Sequence, residues 1–96
     1  MRRSKSAIAR HILLKSRGEA EAIKKKLDQG QPFEQLARKH SICPSKKQGG
    51  SLGEFRQGEM VPAFDKVVFK AALKQVHGPI KTQFGFHLIE ILYRDD

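Results

Sequence analysis

Residues 7–14, Ala-Ile-Ala-Arg-His-Ile-Leu-Leu, constrain this chain more than any other segment. Read as a strand, they put Ala7, Ala9, His11 and Leu13 on one face and Ile8, Ile12 and Leu14 on the other, with Arg10 near the edge. Both faces are largely apolar, so both must be covered. A chain of 96 residues, 39% of them hydrophobic, has enough material for one such core without staples.

The segments that follow supply the cover. Ser16-Arg17-Gly18-Glu19 fits a capping box, with Ser16 as the cap and Glu19 reaching back to it. Ala20, Ile23 and Leu27 then recur at helical spacing, and Glu21 and Lys25 stand four apart on the outer face. Gly30 suits the end of this helix, and Pro32 the first turn of a second one, in which Phe33, Leu36, Ala37 and His40 share a stripe. Residues 43–51 are polar and glycine-rich and read as a loop. Residues 52–56 read as a short strand, and Gln57-Gly58-Glu59 as a turn. A third helix starts near Pro62, with Phe64, Val67, Val68 and Ala71 on one face. Gly78-Pro79 opens a short strand through Thr82, Phe84-Gly85 turns the chain, and residues 86–93 give the strongest strand pattern. The last two strands meet through a short turn and are expected to be antiparallel. The order β-α-α-β-α-β-β predicts an α+β sandwich, with helices packed on a small sheet. We expect one domain over residues 1–96, with a core at about 7–94.

Nineteen lysines and arginines against ten acidic residues give a net charge of +9. That excess favours acidic partners or nucleic acid, but the basic residues are scattered and no zinc-finger or basic-zipper pattern accompanies them. We read the charge as mainly a solvated surface, with nucleic acid as a weakly supported partner. No run approaches the ~20 apolar residues of a membrane-spanning helix. The basic start Met1-Arg2-Arg3-Ser4-Lys5-Ser6 leads into no apolar signal core, so a cytoplasmic, monomeric protein is expected, with no membrane partner. A lone cysteine, Cys43, can form neither an internal disulfide nor a multi-cysteine zinc site; no metal or cofactor is implied.

Two sets of side chains suggest a site. Met60 and Phe64, four apart, can form one apolar wall, which Leu52 and Phe84 can extend. His11 and His87 each lie inside an expected strand among apolar neighbours. Burying either imidazole unpaired is costly, but on adjacent strands the rings can bond to each other. His40 and His77 read as surface or helix-end residues.

The order and spacing of several short segments resemble the parvulin peptidyl-prolyl isomerases, in particular the short bacterial members that consist of the catalytic domain alone. These segments are His11-Ile12-Leu13, residues 33–37 leading to His40-Ser41, and Gly49-Gly50-Ser51-Leu52-Gly53-Glu54-Phe55. They continue with Gly58-Glu59-Met60-Val61-Pro62-Ala63-Phe64, Gly78-Pro79-Ile80, and residues 82–89. The resemblance implies an FKBP-like fold, a four-stranded antiparallel sheet surrounded by helices. It implies prolyl isomerisation of unfolded or flexible polypeptides, assisting their folding. It further implies that Leu52, Met60 and Phe64 line a proline pocket flanked by Phe84, and that His11 and His87 pair beneath it. Cys43 matches the family's active-site cysteine, and Thr82 is expected to join the histidine network, as is Ser41. We expect the histidines to orient Cys43 and Thr82 and to keep the floor neutral, with no covalent role for Cys43. Phospho-specific parvulins carry a longer basic loop after the first strand. Here Leu14-Lys15-Ser16-Arg17-Gly18 runs almost directly into a helix, so general Xaa-Pro substrates are expected, with an apolar residue before proline. A basic binding module without turnover is the alternative.

Overall fold

The computed structural model describes residues 5–95. The expected basic start at residues 1–4 and the terminal Asp96 lie outside them. Four strands, β1 (Ser6–Leu14), β2 (Ser51–Arg56), β3 (Val76–Thr82) and β4 (Gly85–Arg94), form one sheet in the order β2-β1-β4-β3. Every neighbouring pair is antiparallel. Three helices, α1 (Arg17–Asp28), α2 (Phe33–His40) and α3 (Pro62–Val68), complete the expected order.

The apolar first strand lies in the middle of the sheet, as its two-sided pattern demands. Ile12 and Leu14 point to one side, with Leu88 of β4, and are covered by Ala20 and Ile23 of α1 and Phe33, Leu36 and Ala37 of α2. Ala7 and Ala9 point to the other, with Ile89 and Ile91, and are covered by Phe55 of β2 and by Phe64 and Val68 of α3. Between β1 and β4 on the first side, Arg10 is held by Glu90 at 2.7 Å and stacks on the Phe33 ring.

Local departures from expectation have local causes. The Ser16 hydroxyl accepts the Glu19 N–H and donates to the Glu19 carboxylate, both at 3.2 Å, so the box closes on the hydroxyl itself. Pro32 caps α2 from one residue outside its first turn. Among the described residues Glu21 and Lys25 form no ion pair, in keeping with the small gain available to an exposed pair. The segment expected as loop contains a 3-10 turn, Pro44–Gln48, started by its proline and closed by Gly49 at φ 67°. Strand β3 begins at Val76, ahead of Gly78-Pro79, which sit within it where the pairing with β4 slips between His77 and Ile80. Helix α3 stops at Val68, and Ala71 packs on the same cluster from beyond its end.

Candidate active site

Side-chain alternation along β1 and β4 carries His11 and His87 to the α3 side of the sheet. His11 is opposite Ile89 and His87 opposite Leu13, so the two rings are diagonal neighbours on adjacent strands. Their Nδ1 atoms approach to 3.0 Å and the rings stack at 5.2 Å between centroids. Both residues are buried. The Nε2 of His87 meets the Thr82 hydroxyl at 2.7 Å, and that hydroxyl also accepts the Phe84 N–H at 3.1 Å. Among the described residues, His11 Nε2 is buried without a hydrogen-bond partner.

This arrangement fixes the charge of the floor. One proton between the two Nδ1 atoms makes a hydrogen bond; a proton on each would set two donors against each other. Burial pushes His11 down to about 4, with a smaller contribution from His87, and burial pushes His87 down to about 4 as well. At neutral pH both rings are therefore uncharged. Phe64 seals them: its ring stands edge-on at 5.6 Å from His11 and 5.3 Å from His87.

Two glycines let the chain pack closely against the histidine backbones. Gly50, at φ 90°, brings its carbonyl to the His11 N–H at 2.9 Å, and a Cβ there would stand 2.5 Å from the His11 carbonyl oxygen. Gly78, at φ 124°, presses in the same way on the His87 carbonyl oxygen. Side chains larger than hydrogen have no room at either point.

Above the floor opens a cavity of about 600 Å³. Leu52, Met60, Phe64 and Phe84 all line it, together with Cys43 and both imidazoles, so residues from both central strands, β2, α3 and three connecting segments converge there. Thr82 stands one bond away, behind His87. Phe84 forms the rim and is 57% exposed, whereas Phe64 is 3% exposed and forms the back wall.

Two expectations are corrected. Ser41 does not enter the histidine network: its hydroxyl accepts the backbone N–H of Leu13 at 3.0 Å and of Cys43 at 3.3 Å. With the Ile42 N–H on the Leu13 carbonyl at 2.9 Å, it stitches residues 41–43 to the end of β1. Cys43 is placed by that stitching, not by the histidines, because its thiol hydrogen-bonds to neither ring among the described residues. His40 ends α2 and His77 lies in β3, where its Nε2 donates to the Ala72 carbonyl at 2.8 Å; neither lines the cavity. Leu13, Ile42, Pro44 and Val61 also line it and were not singled out in the sequence. Ile42 carried the one usable signal, as a large apolar residue in the polar run before Cys43.

Known proteins bear on this geometry. Residues 11–92 match the family described as Rotamase: PPIC-type PPIASE domain. The foldase protein PrsA of a Geobacillus strain is 42% identical over 89 residues, covering 92% of this chain and 32% of the relative. The chain thus spans about a third of the length of such relatives. A crystal structure of the PrsA peptidylprolyl isomerase of Bacillus anthracis superposes with a TM-score of 0.93 at 38% identity, over 97% of this chain and 43% of the other. The solution structure of NmPin, the parvuline of Nitrosopumilus maritimus, superposes with a TM-score of 0.83 at 39% identity, over 96% of this chain and 100% of the other.

Proposed function

This chain belongs to the PpiC-type peptidyl-prolyl isomerase family, and from that premise we propose that it accelerates cis/trans rotation of Xaa-Pro bonds in flexible polypeptides, by non-covalent means, and so assists their folding. The observation that carries this is the pairing of an apolar cavity with a neutral, hydrogen-bonded imidazole floor.

The physical demand is simple. Resonance holds the prolyl amide planar behind a barrier of ~18–20 kcal/mol. The planar forms carry charge separation that the twisted form largely loses. A cavity with few polar groups withdraws the solvation that planar amides enjoy in water, and so favours the twisted state. Leu52, Met60, Phe64 and Phe84 supply that surface for the proline ring. A cationic floor would undo it by attracting the amide oxygen's charge, and the burial of His11 and His87 prevents this. Thr82 fixes the orientation of the His87 ring through its bond to Nε2. Each ~1.4 kcal/mol of preference for the twisted state gives a further tenfold in rate. No bond is made or broken, so Cys43 acts as a polarisable wall residue and not as a nucleophile.

Substrates need no phosphate before proline. Only Lys15 and Ser16 separate β1 from α1, and Arg17 is engaged over the Phe86 ring at 5.2 Å. An apolar residue before proline fits the exposed apolar rim of Ile42 and Phe84. A monomer in the cytoplasm is proposed with the same function; the free thiol of Cys43 suits a reducing compartment. Nucleic-acid binding rests on the net charge alone, and a flat salt titration of binding to duplex DNA dismisses it.

The deciding experiment measures cis/trans exchange of an Ala-Leu-Pro-Phe peptide. Micromolar protein is expected to accelerate the exchange, and no acceleration defeats the proposal.

A further inference from the structure

A second groove, of about 420 Å³, adjoins the proline cavity, and Met60 forms a wall of both. Its character is different. Lys5 from the start of the described chain and Lys66 and Lys70 from the α3 region line it, with Phe69 and Pro62 as its apolar surface. One acidic group, Asp65, faces the same space, and its Oδ1 is already engaged by the Gly58 N–H at 3.0 Å. None of the three lysines forms an ion pair among the described residues. The groove therefore offers three cations against one carboxylate, a net excess of positive charge. Glu59, the acidic residue lining the neighbouring proline cavity, is turned to the Arg56 N–H at 2.6 Å.

We propose that this groove is a specificity subsite that takes an Asp or Glu side chain of the substrate polypeptide, close in sequence to the proline held in the main cavity. An extended chain advances about 3.3–3.6 Å per residue, so a groove sharing a wall residue with the proline site is reached within about three residues. Lys66 of α3 and Lys70, in the turn that follows the helix, both line the groove and can close on one carboxylate together. Met60, between the two spaces, couples proline seating to carboxylate seating. The subsite rests on the isomerase function proposed above, and places its acidic preference beside the catalytic cavity instead of on the net charge of the whole surface.

The test is a set of proline peptides carrying Glu, Gln or Lys at each position within three residues of proline. Exchange is followed by NMR at low and at moderate salt, with the full chain. At one of these positions Glu is expected to exceed Gln in kcat/KM by about threefold or more at low salt, fading as salt rises. In the double variant Lys66→Glu, Lys70→Glu, the preference is expected to reverse toward Lys, while Lys25→Gln, on α1, leaves the wild-type ratio. A Glu-to-Gln ratio near one at every position in the wild type, or an equal ratio in the double variant, overturns the subsite. Turnover of the Gln peptides without a Glu preference removes the subsite alone. Absence of turnover on every peptide removes the isomerase function with it.

Discussion

On the α1/α2 side of the sheet, Ile12, Leu14 and Leu88 meet Ala20, Ile23, Phe33, Leu36 and Ala37, and all eight side chains are buried. On the α3 side, the same two central strands present His11, Leu13 and His87, and the packing stops short at a cavity. The strand period of two sorts neighbouring residues into these two environments. One side is closed and, apart from the Arg10–Glu90 pair, apolar, and it stabilises the fold. The other keeps two polar rings and an open cleft, which no side chain fills to interior density. The site is thus a gap left in a core held from behind, not a feature added to a finished surface.

Substitutions on the two sides should therefore separate stability from activity. The largest effect is expected from Leu88→Ala on the closed side. It should cost about 2–5 kcal/mol of unfolding free energy, read by denaturant titration, with kcat/KM of the folded fraction within about threefold of wild type. Equal losses of stability and activity would break the separation.

Acid should strike the open side. Both imidazoles sit near 4 when folded against 6.5 when free, so the unfolded chain binds more protons between those values. The stability they allow is whole above about pH 6.5 and is lost as pH falls toward 4. At pH 5 the loss is on the order of 2 kcal/mol for an imidazole so placed. Paired unfolding curves at pH 7 and pH 5 measure it, and imidazole NMR titration assigns it. A ring of this pair titrating between pH 6 and 7 would show that the floor is wet.

Met60→Ala should reverse the pattern of Leu88→Ala. Met60 is only half-buried, so stability should fall by about 1 kcal/mol or less, while kcat/KM falls tenfold or more, a barrier increase of about 1.4 kcal/mol. A variant with wild-type turnover would take the apolar wall out of the mechanism. The smallest effect is expected from Cys43→Ala, which should keep kcat/KM within about threefold. A loss of several hundredfold in the same exchange assay would demand a chemical role for the thiol.

Much of this organisation was legible in the sequence. The closed side declared itself through periodicity, because Ile12, Leu14, Ala20, Ile23, Phe33 and Leu36 each repeat at the spacing of their own element. His11 and His87 stood out as polar residues in apolar strands, and their meeting followed once those strands were neighbours. What stayed hidden depends on contacts between distant segments. The Ser41 hydroxyl had several possible partners, and only the approach of residues 41–43 to Leu13 selects the backbone amides. The 3-10 turn at Pro44–Gln48 has too few residues to show a period. The start of β3 was masked by Gly78-Pro79, which as a dipeptide suggests a boundary, yet Gly78 here lets the strand pass against the His87 carbonyl. The second, basic groove left no linear signature, since Lys5 is some sixty residues from Lys66 and Lys70.

The most direct measurement is a map of amide and side-chain chemical-shift changes as a proline peptide is added to the full chain. The prolyl ring should sit against the methionine and the phenylalanines over the linked imidazoles. The largest changes are then expected at Leu52, Met60, Phe64, Phe84 and His87, with Ile23 and Leu36 behind the sheet unmoved. Changes centred on α1 and α2, or none at saturating peptide, would contradict the assignment of the open side as the place where the amide is turned.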